Sequence, residues 1–152
     1  MKPIRNSAKA VIIHQSKVLL TKNRDDEGDF YIFPGGGQER GEPLSAAVVR
    51  ECIEETGLEV IVHDLIYVRE YIGKNHEFAE WDADVHQVEF YFECRLKAFQ
   101  EELGNGANPD ATQVGVEWID LASLDEIRVY PNALAKLLKA GKADVTYLGD
   151  VN

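Results

Sequence analysis

Only two cysteines, Cys52 and Cys94, occur in the 152 residues. They lie far apart in apolar surroundings and lack the paired spacing of a zinc site, so buried reduced thiols are expected in place of a disulfide scaffold. No stretch approaches the ~18 consecutive apolar residues of a membrane span, and the apolar run in MKPIRNSAKAVIIHQ is too short for a signal peptide. A soluble protein with no membrane partner and a cytoplasmic location is the expectation. Positive charge is also short: Lys and Arg total 16 against 27 Asp and Glu, a formal net charge of -11. Such a surface repels nucleic acid and anionic lipid, so no stable nucleic-acid binding is expected. A phosphate-bearing ligand would need a cation as intermediary. The histidines, His14, His63, His76 and His86, show no ligand spacing to one another. Repeats, low-complexity tracts and internal linkers are absent, and the length suits one domain over residues 1–152. A homodimer is left open.

The segments Ala8 to His14 and Lys17 to Thr21, joined by Gln15 and Ser16, predict a β-hairpin. After the acidic loop NRDDEGD, a short aromatic strand from Phe30 to Phe33 runs into PGGG, whose glycines permit backbone approaches closed to other residues. That loop feeds a helix with Glu42 as acidic flank, Pro43 at its first position, Leu44 to Thr56 as its body and Gly57 as its stop. Leu58 to Ile72 predicts one or two strands, Val85 to Leu96 a long one and Gly115 to Ile119 a shorter one. KNHEFAEWDAD and EELGNGANPDATQ read as loops. SLDEI and PNALAKLLKAG close the chain's pattern as two helical pieces. The order predicts an α+β fold, a mixed sheet with helices packed on it.

The helix end RECIEETGL carries three acids where the macrodipole is negative, the unfavourable end for carboxylates. At about 100° per residue, Glu51, Glu54 and Glu55 share an arc of about 100°. The N-terminal half, LSAAVV, is small or apolar nearly all round, which predicts a largely buried helix. Acids so confined want a cation. Arg50 offsets part of the charge through Glu54, four residues on. Oxygen donors without histidine or cysteine point to Mg²⁺ or Mn²⁺, and Mg²⁺ commonly binds through one or two carboxylates together with substrate phosphates.

Residues 36 to 58, GGQERGEPLSAAVVRECIEETGL, resemble the Nudix box, with Gly36, Glu42, Arg50, Glu51, Glu54, Glu55, Gly57 and Leu58 at its fixed positions. Cys52 at the first aliphatic position is the one soft departure, and a small apolar side chain packs comparably there. GDFYIFPGGGQERGE and EWIDLASLDEI resemble the family's lead-in and closing strand, so roughly residues 7 to 140 can be laid on the fold. The resemblance implies a mixed sheet sandwiched between helices. It also implies a metal-dependent pyrophosphohydrolase that cleaves a diphosphate in a nucleoside diphosphate derivative by attack of water on phosphorus. Glu54 and Glu55 would be the principal metal ligands, and Glu51 a further ligand or the base. The carbonyl of Gly35 or Gly36 would add a ligand, Arg50 would orient a glutamate and Glu42 would brace the loop.

Family members often recruit one more acid, for which Glu89, Glu93, Asp110 and Glu117 are candidates. Arg24, Arg69 and Lys22 are candidates for phosphate contacts, Tyr31, Tyr71 and Trp81 for stacking on a base, and Asn132 for a base edge. The chain lacks the coenzyme A signature found before the box in some members, and no dinucleoside polyphosphate or ADP-ribose signature follows. Nucleoside triphosphates, ADP-ribose and nucleotide sugars remain rival substrates. Two other readings stand beside the enzyme: a nucleotide-sensing Nudix-fold module without turnover, and a structural acidic domain.

Overall fold

A computed structural model describes residues 2–141 and 146–152. β1 (Arg5–His14) and β2 (Lys17–Asp25) form the hairpin. Its turn residues Gln15 and Ser16 have φ of 49° and 62°, the positive values with which a two-residue turn follows the twist of its strands. β3 (Gly28–Ile32) leads to β4 (Gly35–Gly37), and then to α1 (Leu44–Thr56). β5 (Val60–Ile72), the four-residue α2 (Ala79–Asp82), β6 (His86–Leu96) and β7 (Gln113–Asp120) follow. β8 (Val129–Tyr130), α3 (Asn132–Ala140) and β9 (Tyr147–Asp150) complete the described elements.

The sheet runs in the order β8-β3-β2-β1-β6-β5-β9, with β4 also paired to β1 and β7 to β2. β1 with β6, β3 with β8 and β5 with β9 are parallel, and the remaining pairs are antiparallel. The sheet is therefore mixed and the α+β expectation holds. β1 meets β2 only beside the turn, at Ile13↔Val18 and His14↔Lys17. Beyond it β2 turns away to β3 and β7, and β4 takes its place along Ser7 to Lys9. Alternation then sorts the side chains of β1 to two cores. Ala8, Ala10 and Ile12 pack with Ala47, Val48 and Cys52 of α1, while Val11 joins Leu20, Phe33, Tyr91 and the α3 residues Leu134 and Leu138. One helix thus covers each face.

The bounds of α1 coincide with the sequence expectation, and Gly57 ends it in the left-handed conformation, donating its N–H to Ile53 O at 2.9 Å. Four details differ. Pro43, with extended backbone, stands at the N-cap and not at the first helical position. α1 is buried along one face only, because Ser45, Ala46 and Ile53 turn outward while small residues of β1 receive the other side. KNHEFAEWDAD, expected as a loop, begins inside a 3-10 turn at Gly73–Asn75 and contains α2, and the SLDEI segment forms a 3-10 turn displaced to Leu121–Ser123. Both cysteines are buried free thiols, and desolvation pushes Cys94 up to about 12.

β9 is tied to the end of β5 through Asp150. Its carboxylate accepts from the Ile72 N–H at 2.9 Å and Asn75 Nδ2 at 2.9 Å, and pairs with His76 Nε2 at 2.6 Å. Desolvation alone would raise its pKa, but these partners outweigh it and hold the group at about 2. Asp150→Asn should cost about 1–3 kcal/mol by urea unfolding at neutral pH. A depressed folded pKa gives stability that is present above the ordinary value of about 4 and lost as pH falls towards the folded one. The difference between wild type and variant should therefore shrink between about pH 4 and pH 2.

Candidate metal centre

The acids of α1 meet the glycine strand through one guanidinium. Arg50 donates to both oxygens of Glu42, at 3.1 and 2.7 Å, to Glu51 at 2.8 Å and to Glu54 at 3.4 Å. It also donates to the Gly37 carbonyl at 3.0 Å. The hydrogen bond with Glu42 leads the causes that raise the Arg50 pKa and lower that of Glu42. Glu42 also accepts the Glu39 N–H at 2.8 Å, so it closes the 38–42 loop as well as holding Arg50.

Glu55 points the other way, into the protein, and is 1% exposed. One carboxyl oxygen accepts the Gly35 N–H at 2.7 Å, while Oε2 is buried with no hydrogen-bond partner. Desolvation pushes its pKa up to about 8; Lys9 opposes the rise and the Asp110 side chain adds to it. Of the four outside candidates, Asp110 is the one whose charge bears on a box acid. It arrives on the 104–113 loop, which seats on the end of α1 through Gly106 N–H to Glu55 O at 2.8 Å and Asn108 N–H to Glu54 O at 2.9 Å. Gln113 adds its amide to the same Glu55 carbonyl at 2.8 Å. These donors satisfy carbonyls that a helix end leaves free. A Cβ on Gly106 would fall 2.4 Å from Glu54 O, so only glycine fits that seat.

The glycine strand is equally close-fitted. A Cβ on Gly36 would lie 2.6 Å from the Glu51 carboxyl carbon, and one on Gly35, where φ is 143°, would lie 2.2 Å from Ala8 O. Lys9, which no sequence motif singled out, brings its ammonium to within 3.4 Å of Phe33 O and 3.5 Å of Gly35 O. Its only signal was a lone charge in the apolar run AKAVIIH. The Gly35 carbonyl thus faces a cation of the protein.

Among the described residues, no three His, Cys, Asp or Glu side chains converge as a finished ligand set. Glu51 and Glu54 lean on Arg50 and Glu55 leans on Gly35. The donors nevertheless suit a hard divalent ion: oxygen only, clustered at one helix end, with the buried Oε2 of Glu55 lacking any partner.

The other candidates separate. Arg69 and Glu89, each 6% exposed, form a cross-strand ion pair at 2.7 Å, with Tyr91 Oη also donating to Glu89. Arg69 is therefore a buried residue despite its charge. Tyr31 is buried and donates to Glu117 at 3.1 Å, and Lys22 reaches the same carboxylate at 3.2 Å. Arg24 is exposed on β2 and held by Asp29 at 2.8 Å. Tyr71 is buried against Asp82, Trp81 is exposed, Glu93 faces outward, and Asn132 opens α3.

The NUDIX domain model matches residues 3–140, and the chain belongs to the Nudix hydrolase family. A Xenopus laevis protein named nucleoside diphosphate-linked moiety X motif 6 is 30% identical over 138 residues. That match covers 89% of this chain and 59% of the relative, so the chain spans about three-fifths of the relative's length. The crystal structure of a MutT NUDIX hydrolase from Burkholderia pseudomallei superimposes with a TM-score of 0.68 at 25% identity, over 88% of this chain and 96% of that one. A NUDIX hydrolase from Nitrosomonas europaea shares the fold with a TM-score of 0.69 at 19% identity, over 91% and 90% of the two chains.

Arg50→Lys keeps the charge but loses the planar fork that reaches Glu42, Glu51 and Gly37 together. Its unfolding free energy should fall by about 1–3 kcal/mol in a denaturant titration.

Proposed function

We propose that residues 1–152 form one Nudix domain acting as a Mg²⁺-dependent pyrophosphohydrolase, with Mn²⁺ as a substitute ion. Its substrate would be a nucleoside diphosphate derivative of the nucleoside triphosphate, ADP-ribose or nucleotide-sugar class, cleaved by water at phosphorus. The observation that carries this is the buried, partnerless Oε2 of Glu55 beside the acids of the same helix end. A net charge of -11 adds the reason for an ion, since a bare diphosphate would be repelled.

Glu54 and Glu55 would hold the cation, Glu51 would hold it or take the proton of the attacking water, and the carbonyl of Gly35 or Gly36 would supply a further oxygen. When bound, such an ion neutralises diphosphate charge and lowers the pKa of water. Arg50 keeps Glu51 and Glu54 from separating and anchors them to Gly37. Lys9 approaches the Gly35 carbonyl at 3.5 Å, while Gly36 stands opposite Ala8 in the β4–β1 ladder. Tyr31, Lys22 and Glu117 form one polar group that a base could meet. Arg69 and Glu89 satisfy each other and would act as a rigid floor.

A panel of nucleoside triphosphates, ADP-ribose and UDP-glucose, assayed with Mg²⁺ for phosphate or nucleotide release, tests this. Turnover of at least one member is expected, and Glu54→Gln should lower kcat by about 10²-fold or more. Calorimetry should show weakened Mn²⁺ binding in the same variant. Tight nucleotide binding without turnover of any compound would instead identify a sensing module.

A further inference from the structure

Positive charge is scarce in this chain, yet Lys2, Arg5 and Arg40 open on a single cavity of about 660 Å³. It lies where the residues before and within the start of β1, the start of β6 and the 38–42 loop come together. Arg24, Arg50, Arg69 and Arg128 each hold a carboxylate. Among the described residues, Arg5 and Arg40 hold none. Lys2 is shared with Asp84 at 3.3 Å, and His86 is engaged by Glu70 at 2.9 Å. The acids on the wall compete little for the arginines: Glu42 is bound by Arg50, and Glu39 is largely exposed.

Arg5 is placed by a specific close approach. Its guanidinium lies so near Gly37 that a Cβ there would fall 2.0 Å from Nη2. The neighbouring glycine is therefore what lets the guanidinium rest against β4. Gly37 is also the residue whose carbonyl binds Arg50, and Glu42 of the cavity wall is bound by the same arginine. The cavity and the box acids thus share one wall. Unengaged guanidiniums beside a concave polar surface suit a phosphate, whose oxygens match the planar fork of arginine.

We propose that this cavity receives a second phosphate of the substrate, carried beyond the diphosphate that is cleaved, and that Arg5 selects for it. The proposal rests on the diphosphate reading above. It narrows the substrates to nucleoside diphosphate derivatives bearing an additional phosphate ester.

Matched pairs that differ by one phosphate ester test it: ADP-ribose with its 2'-phosphate, dephospho-coenzyme A with coenzyme A, and ATP with its 3'-phosphate. In at least one pair, kcat/KM should favour the phosphate-bearing member by about tenfold or more. Arg5→Ala should bring that ratio close to one, and Arg5→Lys should retain part of it. Gly37→Ala should also erase the preference, because its Cβ displaces the flexible end of Arg5 without altering any charge. The three pairs also give dissociation constants by calorimetry with Mg²⁺ present, so the preference is readable even where nothing is turned over. A binding preference lost in Arg5→Ala but accompanied by no turnover would sink the hydrolase reading and keep the cavity's assignment. No binding or turnover of any phosphate-bearing member, no preference in any pair, or a preference that survives Arg5→Ala would overturn the assignment.

Discussion

Arg50 stands between Glu42, Glu51 and Glu54 and also reaches the Gly37 carbonyl, so one side chain joins the helix, the loop before it and the glycine strand. Without it, like charges at neighbouring helical positions would repel one another at a helix end whose dipole already disfavours them. The arginine neutralises part of the cluster and fixes its distance from β4. Glu55 escapes that clamp by burial and takes its restraint from the Gly35 N–H instead. The acids are therefore held in two groups with different environments, one partly solvated and one dry. Both groups nevertheless stand at one helix end.

The backbone carries much of this arrangement. β4 has no side chains to pack, yet it pairs with β1 at three positions and brings its glycines against Glu51, Ala8 and Arg5. That closeness explains why a strand forms from a segment whose composition reads as a loop. Antiparallel pairing asks only for N–H and C=O groups, and glycine leaves the space around them empty. The departure of β2 from β1 after two paired positions makes room for it.

Legibility in the sequence followed the reach of the forces involved. The first hairpin, α1 and the Gly57 stop rest on local periodicity and capping, and all three were readable from neighbouring residues. β8 and β9 are two and four residues long and owe their pairing to β3 and β5, so no local pattern marks them. Arg69 reads as a candidate phosphate contact until Glu89 is placed opposite it, because a buried charge is tolerable only with a partner that the sequence does not reveal. Lys9 was hidden among apolar neighbours: alternation sends Ala8 and Ala10 under α1 and turns Lys9 to the other face. The box was the exception, since its fixed spacing records a three-dimensional cluster along one helix.

The 104–113 loop ties the end of α1 to a part of the chain far away in sequence. The body of α1 is made from contacts a few residues apart, but its last carbonyls wait for Gly106, Asn108 and Gln113, which follow two long strands later in the chain. Closing so long a stretch carries an entropic cost that local helix formation does not. The acidic edge therefore combines a helix made by local contacts with a loop closed across two long strands, and opening that loop would free the last carbonyls of α1.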